Sequence, residues 1–274
     1  MAILNAALNA AYDKPWDIRD LVWSKTSGSI ATDGVFLKTE LMIDGAMHYL
    51  KLSNYDSFRG IYGHEAVNEL IASRLGRLLG FNVPEGSLRE SLVKVDGREF
   101  KAYVFLAKSF KTTDSRESFE NYYVAYRLSE KESPLDFCKR LGWGECIYKM
   151  FIFDYLIINR DRHGANLEVM KNDSVELSPL FDNGLSFACS CVDETDLEGF
   201  DLSDDRPVNN FIGTKRLKQN LGLIDKKVRF NKLCESDIDA LFNGLDGVLS
   251  ERYFMIIREI IWKRWQDVKK FRIA

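Results

Sequence analysis

Residues 154–166 read Asp154-Tyr-Leu-Ile-Ile-Asn-Arg-Asp-Arg-His-Gly-Ala-Asn166, and Pro179-Leu-Phe-Asp-Asn-Gly184 follows. Cys146 to Ile158 is apolar on nearly every helical face, which predicts a buried central helix. That helix runs into a polar stretch holding Asp161, His163 and Asn166, and Asp182 arrives on a loop 16 residues later. Asp161 and Asn166 have the D-x-x-x-x-N spacing of a phosphoryl-transfer loop. In such a loop one carboxylate orients the acceptor hydroxyl and an amide oxygen across the loop ligates Mg²⁺. A second carboxylate completes the metal site and bridges to nucleotide phosphates. Taken singly, Asp161 and Asn166 also read as turn or cap residues, and Asp182-Asn-Gly as an ordinary turn. The apolar helix before them and the apolar-Asp loop after them favour the first reading.

Working outward, the first half reads as strands with one helix. Val35 to Ile43, Asp44-Gly45 and Met47 to Leu52 form one hairpin pattern; Ser91 to Val95, Asp96-Gly97 and Phe100 to Ala107 form a second. Glu65 to Leu79 repeats Val67, Leu70, Ile71, Leu75, Leu78 and Leu79 at helical steps, with Gly80 as the stop. No βαβαβ pattern occurs. The second half is mostly helical, with a turn near Lys171 to Ser174. A last helix over Ser250 to Arg272 carries Phe254, Ile257, Ile261, Trp265 and Val268 on one stripe. Strands first and helices second predict an α+β protein of two lobes. A strand-rich lobe with one helix covers 1–110 and a mainly helical lobe covers 111–274, with the boundary near Phe110 to Ser115.

The 274 residues carry 38 Lys+Arg against 41 Asp+Glu, a net charge of −3, and are 46% hydrophobic. That balance excludes collagen, coiled coil and long disordered tracts. It also excludes a nucleic-acid binder held by overall basic charge. The five cysteines form no CxxC pair and predict free thiols in a reducing cytoplasm. Cys189-Ser-Cys191 has no histidine at zinc spacing. Met150 to Ile158 is too short to cross a bilayer, and the N-terminus has no secretory pattern. A cytoplasmic protein without membrane contact is the expectation.

Asn159-Arg-Asp-Arg-His-Gly-Ala-Asn166 with Leu180-Phe-Asp182 resembles the HipA-like serine/threonine protein kinases. Their C-terminal lobe carries an N-x-D-x-H-x-x-N loop and a later P-x-[FY]-D metal motif. The ATP-contacting lysine of that family corresponds to Lys51 in Tyr49-Leu-Lys-Leu. Its N-E pattern, apolar helix and L-G-x-x-V-P appear as Asn68-Glu69 through Leu79-Gly80-Phe-Asn-Val-Pro84. The resemblance implies a bilobal protein-kinase-like fold with ATP and Mg²⁺ between the lobes. It implies Asp161 as catalytic base and Asn166 and Asp182 as Mg²⁺ ligands. The reaction implied is phosphorylation of Ser or Thr on a protein of unknown identity.

Lys51 is also legible without the family. It falls near the end of a strand, and alternation puts Leu50 and Leu52 on the opposite face, leaving it free to meet a phosphate. Glu65 and Glu69 lie one helical turn apart, and either can pair with Lys51 as helix glutamates do in protein kinases; the family pattern favours Glu69. Lys25 to Gly34, with Ser27, Gly28 and Ser29, occupies the place of a phosphate loop, and reads equally as an ordinary flexible loop. Ser27 or Ser29 is the expected site of self-phosphorylation. The strand exit Phe105-Leu106-Ala107-Lys108-Ser109 is the expected adenine-contacting segment joining the lobes. For His163 the resemblance implies a brace for the loop, with proton transfer as the other reading. Asp154 inside an apolar helix either bonds the loop backbone or marks an exposed edge.

Two departures narrow the family reading. Toxin-type members carry an N-terminal subdomain that contacts an antitoxin, whereas 34 residues precede the first strand here. The resemblance implies an antitoxin-like partner, and this departure leaves its binding, and any DNA-bound complex, open. The metal loop reads Asp182-Asn-Gly rather than Asp-Phe-Gly. The alternatives are a lipid or small-molecule kinase of related fold and a catalytically silent kinase-fold binding module. A metal-dependent phosphoesterase built on Asp161, His163 and Asp182 leaves Lys51 and Glu69 unexplained.

Overall fold

Two Asp-Gly turns organise the first half of the chain. Asp44 and Gly45 (φ 49° and 75°) and Asp96 and Gly97 (φ 50° and 79°) adopt the left-handed backbone that matches a two-residue turn to the twist of paired strands. The computed structural model describes residues 14–27, 35–110, 116–171, 173–203, 205–225 and 227–270. In it these turns join β3 (Val35–Ile43) to β4 (Ala46–Asp56) and β6 (Gly86–Val95) to β7 (Arg98–Lys108). With β1 (Trp16–Asp17), β2 (Ser24–Ser27) and β5 (Gly60–Tyr62) they build a sheet ordered β1-β6-β7-β4-β3-β2, with β5 on β4. Pairing is antiparallel except where β1 meets β6. Alternation sends Leu37, Leu50, Leu52, Val93, Val104 and Leu106 to one face, where they close a core with Trp23 and Tyr55.

Helix α1 (Glu65–Leu78) packs on β4, β6 and β7, and Gly80 (φ 74°) follows as the left-handed stop. Its apolar residues belong to a second, larger core together with the helices of the second half. After β8 (Arg116–Ser118) come α2 (Phe119–Tyr126), α3 (Pro134–Arg140) and α4 (Gly144–Ile157). Met150, Phe151, Ile152, Phe153, Leu156 and Ile157 of α4 are all buried, as an all-round apolar helix requires. Then follow β9 (Asp161–Arg162), β10 (Glu168–Lys171), β11 (Val175–Leu177) and β12 (Asn209–Asn210). The chain continues with α5 (Leu217–Leu221), α6 (Glu235–Ala240) and α7 (Glu251–Lys270). The turn near Lys171 to Ser174 links β10 to β11, and β8 completes that small sheet. Strand β12 lies parallel to β9.

Several expectations need correction. Strands β1 and β2 come before Val35, the expected start of the first strand, and Lys25 to Ser27, the start of the expected phosphate loop, belong to β2 and pair with β3. Lys51 lies in the middle of β4, because β5 pairs with Asn54, Tyr55 and Asp56 and prolongs the strand. Phe105 to Lys108 is still part of β7, so the strand exit comes later than expected. On α7, Tyr253 is buried and Phe254 only half-buried, which turns the stripe by one residue at its start. Residues 111–115, within the expected lobe boundary, lie outside the described residues, as do Gly28, Ser29 and the side chain of Ser27. Among the described residues no helix is long and apolar enough to cross a membrane.

Candidate active site

Alternation along β4 puts Lys51 on the face opposite Leu50 and Leu52, towards α1. Its Nζ lies 2.5 Å from Glu69 Oε1 and 3.1 Å from Asp182 Oδ1. Glu65 goes elsewhere: it accepts from the backbone N and Nδ2 of Asn54 at 3.2 and 3.1 Å. Burial works against the Lys51 ammonium, but the Asp182 and Glu69 carboxylates outweigh it and hold its pKa above the ordinary lysine value. Burial likewise opposes the Asp182 carboxylate, yet Lys51 and Lys38 keep it far below the usual range.

Lys38 sits directly across from Lys51 in the β3–β4 register, with Nζ 2.7 Å from Asp182 Oδ2. Two like charges opposite one another on a ladder repel, and Asp182, taking one lysine on each oxygen, offsets that. Asp182 reaches this position through left-handed backbone (φ 59°), which Asp tolerates better than most residues. Two residues on, a Cβ at Gly184 would lie 3.1 Å from both Glu65 Cβ and Glu65 O, so the loop passes α1 as closely as glycine allows. Asn68 Nδ2 donates to the carbonyls of Gly184 and Ser186 at 3.2 and 3.1 Å, and Tyr253 of α7 donates to Asn68 Oδ1. A cleft of about 630 Å³, counting its open mouth, is lined by Lys38, Lys51, Glu69 and Asp182 and by apolar groups including Phe105, Ala107, Phe110 and Phe181. Lys108 lines it too, but Leu106 does not: its side chain belongs to the sheet core on the other face.

The polar loop is built on the end of α4. Ile158 stops the helix in left-handed backbone (φ 53°), a rare conformation for a β-branched residue and costly by roughly 1–2 kcal/mol. Asp154, buried in the apolar helix, accepts from Asn159 Nδ2 at 3.0 Å and from Arg162 NH2 at 2.8 Å. Arg162 is equally buried and donates also to Phe181 O at 2.8 Å and Asn183 Oδ1 at 2.7 Å. Asp154 is thus a buried anchor that bonds side chains of the loop, and Arg162 ties the 159–166 loop to the 179–184 loop.

Asn159 Oδ1 accepts from the backbone N of Asp161, and Asn166 Nδ2 donates to Asp161 O at 2.8 Å, which orients the Asn166 carboxamide. His163 Nδ1 accepts from Ala165 N, so a neutral ring carries its proton on Nε2, 3.6 Å from Asp161 Oδ2. Asn209 Nδ2 donates to Asp161 Oδ1 at 3.2 Å. Burial raises the Asp161 pKa, with His163 and the Asn209 hydrogen bond working against it.

The structure therefore brings Lys51, Glu69 and Asp182 into one cluster and Asp161, His163 and Asn166 into another, with Arg162 between them. Reading the sequence missed Lys38, Arg162 and Asn209. Lys38 had a signal: counting back from the two-residue Asp44-Gly45 turn puts it opposite Lys51. Asn209 had none, being 48 residues from Asp161. Among the described residues no cluster of three or more His, Cys, Asp or Glu side chains is arranged to hold a metal. The hard oxygens of Asp182 and Asn166 are nonetheless the donor types Mg²⁺ takes when phosphates and water fill the rest of its shell.

No protein-family model matches the sequence, and no curated protein matches it. Among solved structures, the chain is similar to the crystal structure of the Helicobacter pylori proinflammatory kinase CtkA. The two share 18% sequence identity over 95% of this chain and 98% of that one, with a TM-score of 0.56. The likeness shows the fold: an α+β, bilobal, kinase-like architecture.

Proposed function

We propose that the protein is an ATP- and Mg²⁺-dependent kinase of the HipA-like kind that phosphorylates Ser or Thr on a protein, its own chain included. The observation that carries this reading is Lys51 held between Glu69 on α1 and Asp182 on a loop that Arg162 ties to Asp161. A phosphoesterase has no use for the Lys51–Glu69 pair, and a silent binding module none for Asp161. That the structural neighbour is a kinase supports the same reading.

When bound, ATP with Mg²⁺ supplies the transferable γ-phosphoryl group and neutralises its developing charge. Lys51 meets phosphate oxygens, and Glu69 keeps its ammonium in place. Asn166 and Asp182 would hold the metal through hard oxygens. Asp161 orients the acceptor hydroxyl and takes its proton, while His163 braces the loop through Ala165. The apolar walls around Phe105, Ala107 and Phe181 suit a purine.

Incubation with γ-labelled ATP and Mg²⁺, followed by phosphosite mapping on the protein and on a cell lysate, tests the proposal. The expected result is label on Ser or Thr that disappears with Asp161→Asn. Label on lipid alone, or label that persists in the Asp161 variant, overturns it.

A further inference from the structure

Asp161 is held by a residue from a distant part of the chain. Strand β12 runs parallel to β9, with Asn209 N donating to Arg160 O at 2.9 Å and Phe211 N to Arg162 O at 3.1 Å. The neighbours of Asn209 fasten that strand without its side chain. Val208 is buried, and the Phe211 ring packs edge-on against Phe119 and Tyr123 at 5.8 and 6.0 Å. Asn210 Oδ1 accepts from the backbone N of Ile212 and Gly213 at 3.1 and 2.7 Å. Asn209 itself is exposed, so no core packing asks for an asparagine there. Yet its Nδ2 lies 3.2 Å from Oδ1 of the buried Asp161. Only the N–H end of a carboxamide can face a carboxylate, which settles the orientation of the amide.

We propose, resting on the phosphotransfer reading, that Asn209 is a positioning residue: its amide N–H fixes the Asp161 carboxylate for the acceptor hydroxyl. The torsion that rotates an aspartate carboxylate has a broad minimum. Here one oxygen is held by Asn209, while the other, 3.6 Å from Nε2 of His163, is beyond hydrogen-bond distance, so the directional hold comes from Asn209. Preorganisation of that kind counts in a reaction that relies on positioning. Asn209 belongs to the stretch that follows the Asp182 loop, so the order of that stretch decides whether Asp161 is aimed.

Asn209→Leu keeps the size of the side chain and removes the donor; Asn209→Asp removes the donor and sets a like charge against Asp161; Asn209→His keeps an N–H at similar reach. Transfer from Mg·ATP to a casein–histone mixture is measured for each, with ATP affinity by calorimetry and a thermal melt. The Leu and Asp variants are expected to lose about 10–100-fold in kcat, less than the roughly 10²–10⁴ attributed to a whole acid–base group. The ATP dissociation constant and melting temperature of the Leu variant stay at wild-type values, and the His variant recovers most of the lost rate. A Leu variant as fast as wild type overturns the proposal, as does a His variant as slow as Leu or a loss that tracks ATP affinity or melting. Asp161→Asn separates the two claims. No transfer by the wild type refutes the phosphotransfer reading and transfer that survives Asp161→Asn refutes Asp161 as its base, whereas loss in Asp161→Asn beside an unaffected Asn209→Leu refutes only the role of Asn209.

Discussion

Replacing Asp154 by leucine should cost several kcal/mol, because the change leaves a buried guanidinium without its anion. Both side chains of the Asp154–Arg162 pair are 1% exposed. In Asp154→Leu, Arg162 loses contacts of 2.8–3.3 Å through Nε and NH2, and Asn159 Nδ2 loses its acceptor at 3.0 Å. Breaking a buried pair from one side costs about 3–5 kcal/mol, and the stranded Asn159 donor adds about 1 kcal/mol. Arg162→Met makes the converse error, leaving Asp154 charged and Phe181 O and Asn183 Oδ1 without their donor. The double variant removes both charges together, and an apolar replacement of a buried pair is often close to neutral. Its loss should therefore fall short of the sum of the singles by about 2 kcal/mol or more. Urea denaturation of the four proteins measures this, with melting temperatures of the singles expected to fall by roughly 8–15 °C. Singles that lose under about 1 kcal/mol, or losses that simply add in the double, refute the pair as the anchor of the two loops.

Lys51→Met should leave the fold intact and weaken ATP binding; equal affinity by calorimetric titration removes Lys51 from the site. Asp182→Asn deletes a hard anionic ligand, so the Mg²⁺-dependent part of ATP stabilisation in a thermal melt should disappear, and a shift of full size means the metal is held elsewhere. Burial pushes the Glu65 carboxyl from 4.5 up to about 7, so the folded state keeps a proton that the unfolded chain gives up. That contribution to stability is complete below pH 4.5 and is lost as pH rises through 7. Glu65→Gln should flatten the slope, gaining up to about 3 kcal/mol over wild type at pH 8 and little at pH 5. Equal slopes by urea denaturation at the two pH values refute it.

What was legible in the sequence shares one property: its cause is local. Asp44-Gly45 and Asp96-Gly97 announce hairpins because those residue pairs tolerate positive φ. Helix α4 is legible because a helix without a polar face has to be interior. Asp161 and Asn166 share one loop, and Asn166 Nδ2 reaches Asp161 O across five positions. The choice between Glu65 and Glu69 was not local. Both lie on the inner face of α1, and where that helix stands over β4 gives Lys51 to Glu69 and Asn54 to Glu65. The clamp on Asp182 joins residues 144 and 131 positions apart, where no spacing rule operates.

Even so, a buried polar group carries a demand that can be read before its partner is known. Asp154 is the one charged residue at a buried position of α4, and a carboxylate there needs a cation that is buried with it. Arg160 and Arg162 flank Asp161 at the end of that helix, and two-residue alternation separates both from the Asp161 side chain. The demand therefore points at the loop itself, and Arg162 meets it at 2.8 Å. The oddest residue of the apolar helix is thus explained by the loop that follows it. A substitution at Asp154 that spared stability but disturbed the 179–184 loop would contradict this, since both effects run through Arg162.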